Sequence, residues 1–260
     1  LINPSLPADL IKKKVDETRH CLDHHGVEVT SSFTGAFTRL NNLTHPDEDF
    51  RQYYVDWFKQ FANISADLGC KHLGSHFAIL TQEDLEDLTR RNFLREQAIK
   101  SWHEIASHAK SRGIEEIYWE PMSISREFGE TIDEAINLND ELNKNSPLPF
   151  SMCLDVDHGD LESPNPDDVD PYAWINQCKD GFDMIHLKQS YANKGGHWPF
   201  IAEHNQKGNI IPNKILDAIK STTPRNVQLV LELSFKERQP ADRLAAEHVK
   251  ESVNFWQNSL

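Results

Sequence analysis

Four short apolar runs, each ending in a side chain able to hold a metal ion, constrain this chain more than any other feature. Ile117-Tyr118-Trp119 runs into Glu120, and Met152-Cys153-Leu154 into Asp155. Met184-Ile185 leads to His186, and Leu229-Val230-Leu231 to Glu232. Such runs recur about 30–45 residues apart with helical segments between them, the pattern of repeated βα units and a parallel sheet. A charged residue at the last position of a buried strand is costly unless something pairs with it. Pro121 marks where the first run stops, because it has no N–H to donate and its ring fixes φ.

The rest of the chain fits the same alternation. Helix is expected from about Ala8 to His25, with Gly26 as its left-handed stop. Val27–Phe33 reads as a strand, and Asp47 caps a helix that buries Val55, Phe58, Phe61 and Ala62 at helical spacing. Cys70–Phe77 is the next strand, with His76 near its end, and one helix is expected from about Glu83 to Ser111. Further helices are expected near 132–142, 172–178, 213–219 and 241–256. A long loop after His186, from Gln189 to Pro212, carries His197, Trp198 and His204.

Six strands emerge, whereas a closed (β/α)8 barrel has eight. The barrel is the expected fold all the same, because it sets the C-terminal ends of its strands in a ring where ligands from successive strands face one point. Roughly the first two βα units, about 50 residues, are then expected to lie outside the visible chain. The other arrangement is an open doubly wound sheet. No composition break marks a linker, so residues 1–260 read as one domain.

A net charge of -14 repels nucleic acid and anionic membranes at long range, so neither is an expected partner. No apolar run reaches membrane-spanning length and no signal peptide is visible. The four cysteines include no C-x-x-C pair, and Cys70 and Cys153 read as small core residues. A cytoplasmic location is expected. Exposed barrel helices often pair, so a homo-oligomer is compatible with the sequence.

Glu120, Asp155, His186 and Glu232 together form the ligand set of one divalent ion; oxygen-rich ligation with one imidazole suits Mn2+, Mg2+, Co2+ or Zn2+. Each residue alone has a plainer reading: Glu120 a salt-bridged surface residue, Asp155 a turn cap, His186 a core histidine, Glu232 a partner of Lys236 or Arg238. Around them stand candidates for substrate contact. His158 follows Asp155 by one loop turn, and Asp157 is placed either to orient its imidazole or to face solvent. Arg126 and Glu127 lie in the loop after Glu120. Lys188 shares the strand parity of His186, so it faces the same side, where it suits a substrate oxyanion or phosphate. His76 points towards the same mouth. His197 lies in a loop that either closes over the substrate or is pinned in place by Trp198.

The set Glu120, Asp155-x-x-His158, His186-Leu187 and Glu232 resembles the xylose-isomerase-like sugar isomerases and epimerases, notably the D-tagatose 3-epimerase group. The likeness covers the chain from about Val27 to its end, and it makes these strands the third to eighth of a TIM barrel. It implies a metal-dependent epimerase or isomerase of a sugar or sugar phosphate working through an enediolate. Glu120 and Glu232 would then ligate the ion and exchange the proton next to the carbonyl, while His158 and Glu127 contact substrate. Two departures are visible. The glutamate after Glu120 usually falls one residue earlier than Glu127, and the arginine expected after His186 is replaced by Lys188 or Lys194. Trp119-Glu120-Pro121-Met122-Ser123, Phe33–Leu40 and His197-Trp198-Pro199-Phe200 resemble a narrower subgroup, the erythrulose-phosphate epimerases. The alternatives are a metal-dependent lyase or decarboxylase of a keto-sugar acid and a sugar-binding barrel without turnover. A three-zinc nuclease of the same barrel needs an Asp-x-His pair after His186 that this chain lacks.

Overall fold

Among the described residues each strand is followed by one or two α-helices before the next strand. The computed structural model describes residues 2–35, 41–192, 195–222, 226–235, 237–238 and 241–260. Among these, α1 (Ala8–His25), β1 (Ser31–Phe33), α2 (Glu48–Asp67), β2 (His72–His76), α3 (Gln82–Glu86), α4 (Leu88–Ser111), β3 (Glu116–Glu120) and α5 (Ile132–Asn143) come first. They are followed by β4 (Phe150–Asp155), α6 (Pro171–Cys178), β5 (Phe182–Leu187), α7 (Ala202–Asn205), α8 (Pro212–Thr222), β6 (Gln228–Leu231) and α9 (Ala241–Gln257). The six strands follow chain order in one sheet, and every pair whose register is described is parallel. Strand order equal to chain order is what consecutive βα units produce. None of the described helices is long and apolar enough to cross a membrane.

Contacts gather the chain into two compact units. The first comprises Leu1–Glu120, Ser125–Phe128 and Asn137–Ser151, and its core is aromatic. Phe58 of α2 meets Trp102 of α4 with ring centroids 4.8 Å apart, and the Trp102 indole N–H donates to the Phe77 carbonyl (2.8 Å). Trp119 of β3 is buried and donates to Asn139 Oδ1 (3.0 Å). Each indole therefore buries its area with its one donor satisfied. Gly74 stands mid-strand in β2 because a Cβ there would lie 2.2 Å from the Phe33 ring.

The expected helix at 83–111 is two helices. Asp87 has an extended backbone (φ -92, ψ 101), ends α3 and caps α4, its carboxylate accepting from the N–H groups of Thr89 and Arg90. An aspartate that bonds the backbone just ahead of it competes with continuous helix. The first strand is also shorter than expected, starting at Ser31 rather than Val27.

The second unit comprises Pro121–Ile124, Gly129–Ile136 and Met152–Leu260. Its strand β5 and the part of β4 from Met152 onward are buried almost throughout, as the sides of a covered parallel sheet must be. Trp174, Ile175 and Cys178 of α6 and Ile215 of α8 are buried in the same unit. Burial pushes the Cys178 thiol up to about 12, so it serves as an inert core residue.

Candidate metal centre

Three of the four expected ligands belong to the second unit and come together there. Asp155 ends β4 and pairs in register with His186 of β5. Glu232 directly follows β6, and its N–H donates to the Leu187 carbonyl (2.9 Å), carrying the ladder one residue past the strand. Asp155, His186 and Glu232 each offer one ligand atom, and these atoms lie within 4.8 Å of one another. Asp155 and His186 are buried, while the Glu232 side chain is 40% exposed. Parallel strands in near-equal register deliver this convergence, because side chains of matching parity project from one face.

Lys188 lies among them, its side chain wholly buried. Its ammonium donates to Asp155 Oδ2 (2.5 Å), Glu232 Oε2 (2.7 Å) and His197 Nδ1 (3.1 Å). Burial opposes charge on Asp155, but His158, Lys188 and His186 outweigh it and hold the carboxyl well below the usual carboxylate range. Burial likewise works against a charged Lys188, and the Asp155 and Glu232 carboxylates reverse that and raise its proton affinity. The expected parity of His186 and Lys188 holds.

His158 is fixed by Pro121, whose carbonyl lies 3.0 Å from Nδ1. A carbonyl only accepts, so Nδ1 carries the proton and Nε2, 3.8 Å from Asp155 Oδ2, is the face turned to the cluster. Asp157 has neither of its expected roles. One carboxylate oxygen accepts from the Ser190 hydroxyl and the other from the Gly195 N–H (2.9 Å), so it clamps the loop after β5. That clamp, and the buried Ser190 in it, were not visible in the sequence, because its partners lie far along the chain.

The same loop presents His197. Gly195, Gly196 and His197 take successive positive φ values of 82°, 113° and 45°, a path that suits glycine and is uncommon for histidine. It brings His197 Nδ1 to 3.6 Å from Glu232 Oε2. Trp198 stacks on His204 (4.8 Å), His204 Nδ1 lies 2.6 Å from the Tyr191 hydroxyl, and Gln189 N–H donates to the Trp198 carbonyl (2.8 Å). Trp198 thus pins the loop.

The remaining candidates lie in the first unit. Glu120 is the buried last residue of β3, in register with His76 at the end of β2. Glu127 is buried. Arg126 holds the neighbouring loop: its Nε donates to the Leu80 carbonyl (2.9 Å), and its own carbonyl accepts from Leu80 N–H (2.8 Å). Lys194, Lys236 and residues 36–40, with Arg39, lie outside the described residues.

Two carboxylates and an imidazole converging where a cation is already bridged make a donor set that fits a divalent ion. The profile of the xylose isomerase-like TIM barrel matches residues 3–258. The chain belongs to that family. The D-erythrulose 1-phosphate 3-epimerase of Brucella abortus (strain 2308) is 48% identical over 256 residues, which is 98% of this chain and 83% of that protein. In fold, a provisionally named xylose isomerase of Rhodospirillum rubrum matches all of this chain and 86% of its own, with TM-score 0.88 at 20% identity. D-psicose 3-epimerase of Clostridium cellulolyticum, solved with D-tagatose, matches 95% of this chain and 83% of its own, with TM-score 0.69 at 15% identity.

Proposed function

We propose that this chain is a divalent-metal-dependent epimerase of a short ketose phosphate, inverting the carbon next to the carbonyl, and that residues 1–260 belong to a single barrel domain. The observation that carries the reading is the convergence of Asp155, His186 and Glu232, in a chain 48% identical over nearly its whole length to a D-erythrulose 1-phosphate 3-epimerase. Glu120 is the fourth ligand in this reading. It is a buried carboxylate at the end of β3.

A divalent ion held there supplies stabilisation of the negative charge that develops on the substrate oxygens as the proton leaves. The protein does the rest. Glu232, the most exposed of the set, takes the proton from one face of the carbon, and Glu120 returns one to the other face, which inverts the centre. His158 presents Nε2 to a substrate oxygen, its ring held by the Pro121 carbonyl. His197 and Lys188 bind the anionic end of the substrate, with Glu127, Arg126 and His76 as further contacts. The stacking of Trp198 on His204 and its bond to Gln189 keep the neighbouring His197 in place for substrate.

The test is D-erythrulose 1-phosphate in deuterium oxide with Mn2+. The expected result is inversion next to the carbonyl with one solvent deuterium in each product molecule. Carbon dioxide release from a keto-sugar acid, or no exchange with any short ketose phosphate, would contradict the reading.

A further inference from the structure

Lys188 stands where a cation is to be held. One ammonium bridges Asp155 Oδ2 (2.5 Å) and Glu232 Oε2 (2.7 Å), two carboxylates assigned above to the metal, and its third contact is His197 Nδ1 (3.1 Å). An ammonium has three donors, so these three partners complete it. The side chain is fully buried, and a buried lysine is tolerated only in such company.

Asp155 turns Oδ2 to the cluster and already shares it with Lys188. Its Oδ1 accepts from the Asp157 N–H (2.7 Å), so an ion drawing on Asp155 meets a carboxylate already engaged on both oxygens, with the Lys188 charge beside it. His158 and His186 also face the cluster, at 3.8 Å from Asp155 and 3.7 Å from Glu232. A monovalent and a divalent cation within one such cluster repel strongly at the low effective dielectric of a buried site.

We propose that Lys188 is an intramolecular competitor of the metal: its ammonium holds the ligand carboxylates together before an ion enters, and must release at least one of them when the ion binds. This rests on the metal reading of the site. It assigns Lys188 a role separate from ligation and from proton transfer. The lysine keeps two like-charged carboxylates from repelling each other, and it weakens metal binding in doing so. Withdrawal leaves the ammonium beside His197 and the exposed side of Glu232, facing the incoming substrate anion.

Calorimetric titration of the full chain with Mn2+ tests this, using wild type, Lys188→Met and Lys188→Arg. Lys188→Met removes the competing charge and should bind Mn2+ at least about tenfold more tightly. Lys188→Arg keeps the charge and should stay within about threefold of wild type. In EDTA, Lys188→Met should melt below wild type, and saturating Mn2+ should close that gap; a Lys188→Met chain that folds only with Mn2+ gives the same answer. An unchanged or weaker Mn2+ affinity in Lys188→Met, or an equal melting deficit with and without Mn2+, overturns the role of Lys188. A crystal structure of Mn2+-loaded wild type is independent of how the variants fold. It should show the Lys188 Nζ beyond about 3.5 Å from Asp155 Oδ2 or Glu232 Oε2, and retention of both bonds refutes the competition. Wild type that takes up no Mn2+ overturns the metal reading itself, which is a different failure from uptake with no effect of Lys188.

Discussion

The first unit and the second are built from the same alternation of strand and helix, yet aromatic packing leads in the first, which also buries Glu120 and Glu127, and a cluster of opposite charges leads in the second. In the first, Phe58, Phe77, Trp102, Trp119 and Phe128 fill the interior, and their polar handles end on the Phe77 carbonyl and Asn139. In the second, Asp155, Asp157, His186 and Lys188 are buried at and just past the strand ends. Apolar burial stabilises in proportion to area, whereas a buried ion pair roughly offsets its own desolvation. The aromatic interior therefore holds its unit together. The charged interior adds little to stability and places reactive groups.

Substitutions on each side should separate these roles. Glu232→Gln should lower turnover by about 10³- to 10⁴-fold, about 4–5.5 kcal/mol at the barrier, and lower the melting temperature far less than a core truncation does, because the amide oxygen still accepts from Lys188 and Asp155 keeps that lysine paired. Steady-state kinetics beside a thermal melt checks it; full turnover would remove Glu232 from proton transfer. Trp102→Ala should do the reverse. It empties a core position and removes the indole donor to the Phe77 carbonyl, which keeps the Asn41 amide at 3.4 Å, destabilising by about 3–5 kcal/mol in urea unfolding, with turnover per folded molecule retained. If turnover fell as sharply as stability, the separation of the two roles would fail.

The smallest effect expected is on pH dependence in the first unit. Burial, with help from Lys59 and Arg112, lowers the proton affinity of His108, whose Nε2 contacts Asn63 Oδ1 at 2.9 Å. A base with a lowered folded pKa binds fewer protons folded than unfolded. Stability should thus be full above the unfolded value of about 6.5 and decline as the pH falls from there to the folded pKa. His108→Gln should flatten that decline in denaturant midpoints measured across the interval; an unchanged slope would place its origin elsewhere.

The sequence made the strand ends legible because an apolar run followed by a carboxylate or imidazole is a local signal. Asp155, His186 and Glu232 were readable from it, and so was the side on which Lys188 lies. What it did not show depends on distant partners. Asp157 was set beside His158 in sequence, but its bonds go to Ser190 and Gly195, 33 and 38 residues away. Parity told that Lys188 faces the cluster, not that it is sealed within it. The break at Asp87 was missed for a different reason: apolar spacing runs through it, and only a contact two to three residues long sets α3 apart from α4.

Anomalous diffraction from crystals loaded with Mn2+ tests the central claim most directly. A single strong peak is expected within about 2.0–2.4 Å of one ligand atom each from Glu120, Asp155, His186 and Glu232. A peak held by other side chains, or a loaded crystal with no peak among these four, would contradict it.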